Sequence, residues 1–181
     1  MQDSASKSGY YFRESSRNSD GSRLYAVEGD KKNERSAQQL IEECWGCKLH
    51  RWPDLHPIDW YAEADGRMVA MLEMKGRTHT STHFPTVFLN FRKWSVMMAQ
   101  CSMAKLPAIF VVRFTDEIRW VPLPRINPNA TNGYIRIAGC SERVKSDTDI
   151  EPIIEVPVRD MLPLTKQHGA LQALRRTAFP R

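Results

Sequence analysis

Asp59, Glu73 and Lys75 carry the side chains best suited to do chemistry, and their spacing gives them a scaffold. Glu73-Met74-Lys75 closes an apolar run that begins at Met68, and Asp59 opens the segment just before it. On adjacent strands, two carboxylates and an ammonium can hold a divalent cation and orient a water for attack on a phosphate ester. The tripeptide alone carries little information. With 21 acidic residues and 9 lysines in 181, roughly one acid-x-Lys match arises by chance. A second match, Asp30-Lys31-Lys32, stands in a polar stretch with no strand signal and so lacks the scaffold.

The elements that must position these groups begin with a hairpin. Asp65-Gly66 between two apolar runs is a strong hairpin signal. A two-residue turn, with the ladder continued unbroken, puts Asp59 opposite Leu72 and throws Glu73 onto the other face. A three-residue loop, Ala64-Asp65-Gly66, puts Asp59 opposite Met71 with Glu73 as its diagonal neighbour on the same face. Lys75 shares that face by the two-residue alternation of a strand. The other face then carries Ile58, Trp60, Ala62, Met68, Ala70, Leu72 and Met74. The three-residue loop is therefore the expected turn.

A helix is predicted over residues 34–45, with Ala37, Leu40, Ile41, Cys44 and Trp45 on a buried stripe, Asn33 as N-cap and Gly46 as stop. A second helix is predicted over 91–105, with Phe91, Trp94, Met97, Met98 and Cys101 inward. Between them, residues 76–85 form a polar connector holding His79 and His83. Residues 108–114 read as a central buried strand, followed by strands at 117–121, 134–138 and 153–158. The order gives an α/β fold, a three-layer α/β/α sandwich around a mixed sheet.

Composition sets the frame. With 41% hydrophobic and 26% charged residues the chain reads as a soluble globular protein with one main domain. No apolar run approaches the roughly 18 residues of a membrane span, and the polar N-terminus has no signal-peptide pattern. Four cysteines suggest free thiols and a cytoplasmic setting. Residues 1–33 are expected to be a flexible segment, 34–164 the folded domain, and 165–181 a basic C-terminal helix and tail. Of the net charge of +5, that tail supplies Lys166, Arg175, Arg176 and Arg181 without an acid. Such a tail suits an anionic partner such as nucleic acid, where Lys166, Arg175 and Arg176 would contact phosphates. A purely solubilising role is the competing account.

Asp59 and Glu73-x-Lys75 on the first hairpin, between two helices, resemble the PD-(D/E)XK nuclease superfamily. The resemblance covers roughly residues 34–122 and implies a restriction-endonuclease-like or resolvase-like fold with an αβββαβ-type core and added strands. It implies a Mg²⁺-dependent (or Mn²⁺-dependent) deoxyribonuclease in which Asp59 and Glu73 hold the metal and Lys75 assists the attacking water. It also implies an acid in the first helix, where Glu34 stands, and a Lys or Gln from the following helix, where Lys93 and Gln100 stand. Pro53-Asp54 spells the family's Pro-Asp literally, but Asp54 precedes the strand, so Asp59 is the favoured ligand. DNA is the implied partner, and a homodimer would provide two sites for two strands. The alternative from another class is a nucleic-acid-binding or protein-interaction module that keeps the fold without cleavage. A third reading takes Cys44-x-x-Cys47 with His50 and His56 as a zinc or redox site. Against it, Cys44 belongs to the buried stripe of the first helix.

Overall fold

The computed structural model describes residues 28–53, 56–126, 135–138, 151–166 and 171. Its first element, helix α1 (Glu28–Trp45), begins six residues before the predicted start, so Asn33 lies inside the helix. The extra turns, Glu28-Gly-Asp-Lys-Lys-Asn, carry no apolar stripe for periodicity to detect. Glu and Lys are nevertheless good helix formers. The stop falls as expected. Gly46 takes φ 64°, and its N–H donates to the Glu42 carbonyl at 2.9 Å, closing the C-terminus.

Strands β1 (Lys48–Arg51), β2 (Trp60–Ala64) and β3 (Arg67–Gly76) follow. Then come β4 (Thr86–Asn90), helix α2 (Phe91–Ala104), β5 (Ala108–Arg113) and β6 (Ile118–Pro122). Strands β7 (Ile135–Ala138), β8 (Glu151–Pro157) and β9 (Leu162–Pro163) complete the set. The main sheet has the order β1-β2-β3-β5-β6-β9, with β3 and β5 parallel and the other pairs antiparallel. A parallel pair needs a long crossover. Here β4 and α2 supply it, and β4 leaves the main sheet to pair with β8 in a second sheet, β4-β8-β7.

Alternation along the inner strands builds two cores. Ile109 and Val111 of β5 join Ala37, Ile41 and Trp45 of α1, whereas Phe110 and Val112 join Met97 and Cys101 of α2. Burying each large aliphatic or aromatic side chain contributes about 1.5–3 kcal/mol, which is why β5 is apolar on both faces. Val87 and Leu89 of β4 and Ile154 and Val156 of β8 extend the α2-side core, so the small sheet backs onto it. The result is the expected three-layer mixed α/β sandwich, with this sheet added. Among the described residues no helix is long and apolar enough to cross a membrane.

Candidate active site

The turn of the β2–β3 hairpin differs from the expectation. Ala64 pairs with Arg67, so the loop is two residues, Asp65 (φ 53°) and Gly66 (φ 68°), both left-handed as a type I′ turn requires. The unbroken ladder from such a turn would separate the two carboxylates. A bulge prevents it: Glu63 pairs with Met68 but Ala62 with Ala70, leaving Val69 extra on β3. Beyond the bulge Tyr61 pairs with Met71 and Trp60 with Leu72, and the same register one residue further sets Asp59 beside Glu73. The shared face is therefore reached by a bulge and not by a three-residue loop. The bulge also redistributes the flanking apolar residues. Val69 packs on the α1 side, while Met68 and Ile58 join the α2-side core, contrary to the expected single apolar face.

Helix α2 delivers the third group. Asn90 caps it, its Oδ1 accepting from the Lys93 N–H at 3.1 Å, which fixes Lys93 in the first turn. A cation there opposes the helix dipole. Two carboxylates offset the penalty, because Lys93 Nζ donates to Asp59 Oδ1 at 2.6 Å and to Glu73 Oε2 at 2.8 Å. The Asp59 and Lys93 side chains remain 29% and 33% exposed, but Glu73 is only 2% exposed. Burial pushes the Glu73 carboxyl up to about 8, and the nearby Lys93 only partly counters it. Burial works to lower the Lys93 pKa, but the attraction of Glu73 and Asp59 outweighs it and raises it.

Lys75 lies two residues beyond Glu73 on the same strand and is half-buried. Gln100 lies two turns along α2 from Lys93, and its side chain has no hydrogen-bond partner among the described residues. Glu34 stands on α1, but its side chain lies outside the described residues, as do Asp54, Arg175, Arg176, Arg181 and the predicted C-terminal helix. Lys166 is exposed.

The cysteine reading fails on packing. Cys47 lies in the α1-side core with Cys44 against it, and burial pushes the Cys47 thiol up to about 11, away from the thiolate that redox chemistry needs. His50 contacts Glu63 at 3.0 Å and His56 stacks on Trp52, so neither joins the cysteines.

The polar connector is built into the structure. Ser81, 5% exposed, donates its N–H to Asp116 Oδ1 at 2.8 Å and its hydroxyl to Oδ2 at 2.9 Å. Burial works to raise the Asp116 pKa, but hydrogen bonds from Ser81 and the local backbone outweigh it and lower it. His79 and His83 pack against each other and against Phe84. Asp116 gives no sequence signal beyond its place in the Thr115-Asp116 turn, because its partner is 35 residues away.

Two carboxyl oxygens that converge on one cation, one from a buried and one from a half-exposed residue, form a hard donor pair that is fully anionic once Glu73 gives up its proton. Among the described residues no third His, Cys, Asp or Glu completes a protein cage. Hard oxygen donors of this kind can hold a divalent cation.

Residues 22–164 match the family described as "Phage putative PDDEXK endonuclease". The chain belongs to this family. Among solved structures it is similar to Hjc of Archaeoglobus fulgidus, a Holliday junction resolvase, at 13% identity and a TM-score of 0.48, covering 74% of this chain and 92% of that one. No curated protein sequence matches.

Proposed function

We propose that the protein is a divalent-metal-dependent endonuclease that hydrolyses DNA phosphodiester bonds at Asp59, Glu73 and Lys75. The observation that carries this reading is the convergence of Asp59 Oδ1 and Glu73 Oε2 on one cation position, 2.6 and 2.8 Å from the same Nζ. Asp59 and Glu73 would hold Mg²⁺ or Mn²⁺. Bound there, the metal would supply charge neutralisation at the phosphate and a more acidic water. Asp59 faces solvent and can meet the substrate, whereas Glu73 anchors from the core. Lys75, further along the same face, orients the attacking water or stabilises the charge that builds on the phosphorus centre. Lys93 holds the two carboxyl groups together and would yield its place to a bound metal. Gln100 and Glu34 are supporting residues in this reading, and Lys166, Arg175 and Arg176 grip the DNA backbone.

Supercoiled and linear DNA incubated with Mg²⁺, Mn²⁺ or EDTA tests it. Cleavage is expected with either metal, none in EDTA, and none from Asp59→Asn or Glu73→Gln. Metal-dependent cleavage that survives both substitutions sinks the assignment. Tight DNA binding without cleavage under any metal supports the binding-module reading instead.

A further inference from the structure

Beside the carboxylate pair, four aromatic rings follow in series across β1, β2 and the segment joining them, as two stacked pairs joined by a contact tilted at 49°. His50 lies on Tyr61 with centroids 4.9 Å apart and planes 18° from parallel. Tyr61 meets Trp52 at 4.8 Å, and Trp52 lies on His56 at 4.3 Å and 16°. The ladder is tied to the site by backbone. The Trp52 N–H donates to the Asp59 carbonyl at 3.0 Å, and Tyr61 stands two residues from Asp59, about 7 Å along the strand on the same face. Its far end is anchored too, because the Ile58 N–H donates to His56 Nδ1 at 3.2 Å, one residue before Asp59. Trp52 therefore stacks on His56 and Tyr61 on His50, and both histidines at the ends of the series are half-buried. None of the four rings is fully buried, and β1 is an edge strand of the main sheet.

Resting on the nuclease reading, we propose that this ladder is a base-stacking platform that seats an unpaired nucleotide of DNA on His56, next to the scissile phosphate. Three features favour that occupant. Every base has a π-face, so a flat ring at the end of a stack receives one without regard to sequence. Paired bases inside duplex DNA are already stacked and cannot offer a face, so the platform selects frayed, gapped or single-stranded substrate. The His56 Nδ1 is committed to its own loop, and Nε2 has no hydrogen-bond partner among the described residues, leaving that edge for the nucleotide. The Asp59 carboxylate, one residue beyond Ile58, would repel a nucleic acid without such an attraction. The ladder holds the strand until metal neutralises the site.

The test is binding by the full chain in EDTA, which removes cleavage from the readout. Fluorescence anisotropy compares a dT oligonucleotide with a blunt duplex of the same length, for the native protein, His56→Ala and His56→Phe. His56→Ala should weaken oligonucleotide binding about tenfold and leave duplex binding unchanged, while His56→Phe should keep native affinity. A second readout on the native protein covers the case in which His56→Ala loosens the loop. A 2-aminopurine in a single-stranded overhang should be quenched on binding, as a stacked base is. Equal losses for oligonucleotide and duplex, no loss, failure of Phe to rescue, or unquenched 2-aminopurine at saturation each overturn the platform. Cleavage of duplex and overhang at equal rates also overturns it while leaving the nuclease reading intact. Selective stacking without cleavage under any metal does the reverse.

Discussion

Lys93 Nζ lies 2.8 Å from Glu73 Oε2, joining the first turn of α2 to a carboxylate buried in the central sheet. The same ammonium reaches Asp59, so one cation bridges both carboxyl groups at the position proposed for a divalent metal. Lys93 and the metal should therefore compete.

Lys93→Met removes the competitor. Without metal the variant should be less stable by about 1–3 kcal/mol, as expected when a buried charged group loses its hydrogen-bond partner. The low end is expected, because Lys93 keeps 33% exposure and solvent screens its charge. The rise in melting temperature on adding Mg²⁺ should grow beyond that of the native protein. Thermal unfolding with and without Mg²⁺ measures both, and a smaller Mg²⁺ shift in the variant would refute the competition.

Stability without metal should fall as pH rises from about 5 to 8. Glu73 carries its proton up to about 8 in the folded state against 4.5 for an ordinary carboxyl, so over that window the folded protein binds the extra proton. A raised acid contributes stability that is complete below the unfolded value and is lost as pH climbs through the folded one. Glu73→Gln, which cannot titrate, should flatten the decline. Metal uptake requires the proton to leave, so the Mg²⁺-induced shift of the native protein should increase over the same range. Melting curves in EDTA from pH 5 to 8 decide it: an equal slope in Glu73→Gln removes Glu73 as the cause.

The sandwich, the two helices and the Asp59–Glu73 face were legible because they rest on short-range pattern: a 3.6-residue stripe, a two-residue alternation and an Asp-Gly turn. Pattern does not see a bulge. The two-residue turn and the extra Val69 together give the same parity as a three-residue loop, so the sequence supports the right face by the wrong route. Lys93 was visible as a helix candidate, but equally so was Gln100, and only the Asn90 cap and the crossing of α2 over the sheet separate them. Asp116 and the aromatic ladder depend on partners brought together by folding, 35 residues apart in the one case and across two strands in the other. Strand β4 had a local signal, Val87 and Leu89 inward between Pro85 and Asn90, but its sheet partner is β8, more than 60 residues on.

Lys75→Ala should separate binding from chemistry. The substitution takes a positive charge away from the proposed metal position but leaves Asp59, Glu73 and Lys93 in place. The Mg²⁺-induced rise in melting temperature should persist or increase, while DNA cleavage falls about 10²–10³-fold, the usual cost of losing one charge-stabilising group. Plasmid nicking rates and thermal shifts on the same preparation check the pair of outcomes. Cleavage at the native rate would take Lys75 out of the mechanism and hand its role to Lys93.

Asp116→Ala should loosen the connector that follows Lys75. The segment is held to the β5–β6 turn by Asp116 through both Ser81 bonds, by the Thr115 N–H to the His79 carbonyl at 3.1 Å, and by the Arg77 N–H to the Arg113 carbonyl at 2.8 Å. Alanine takes the acceptor away from both the Ser81 N–H and its hydroxyl, which should weaken the connector's attachment. Asp116→Asn keeps an acceptor for the Ser81 N–H and should lose less. Because the loss is local, limited proteolysis within residues 77–85 should accelerate more than global unfolding does. The Mg²⁺-induced shift should hold, since Asp59 and Glu73 are positioned by the sheet and α2, whereas cleavage should drop because Lys75 lies at the connector's root. Native protease resistance in Asp116→Ala would mean that the backbone bonds alone fix the connector.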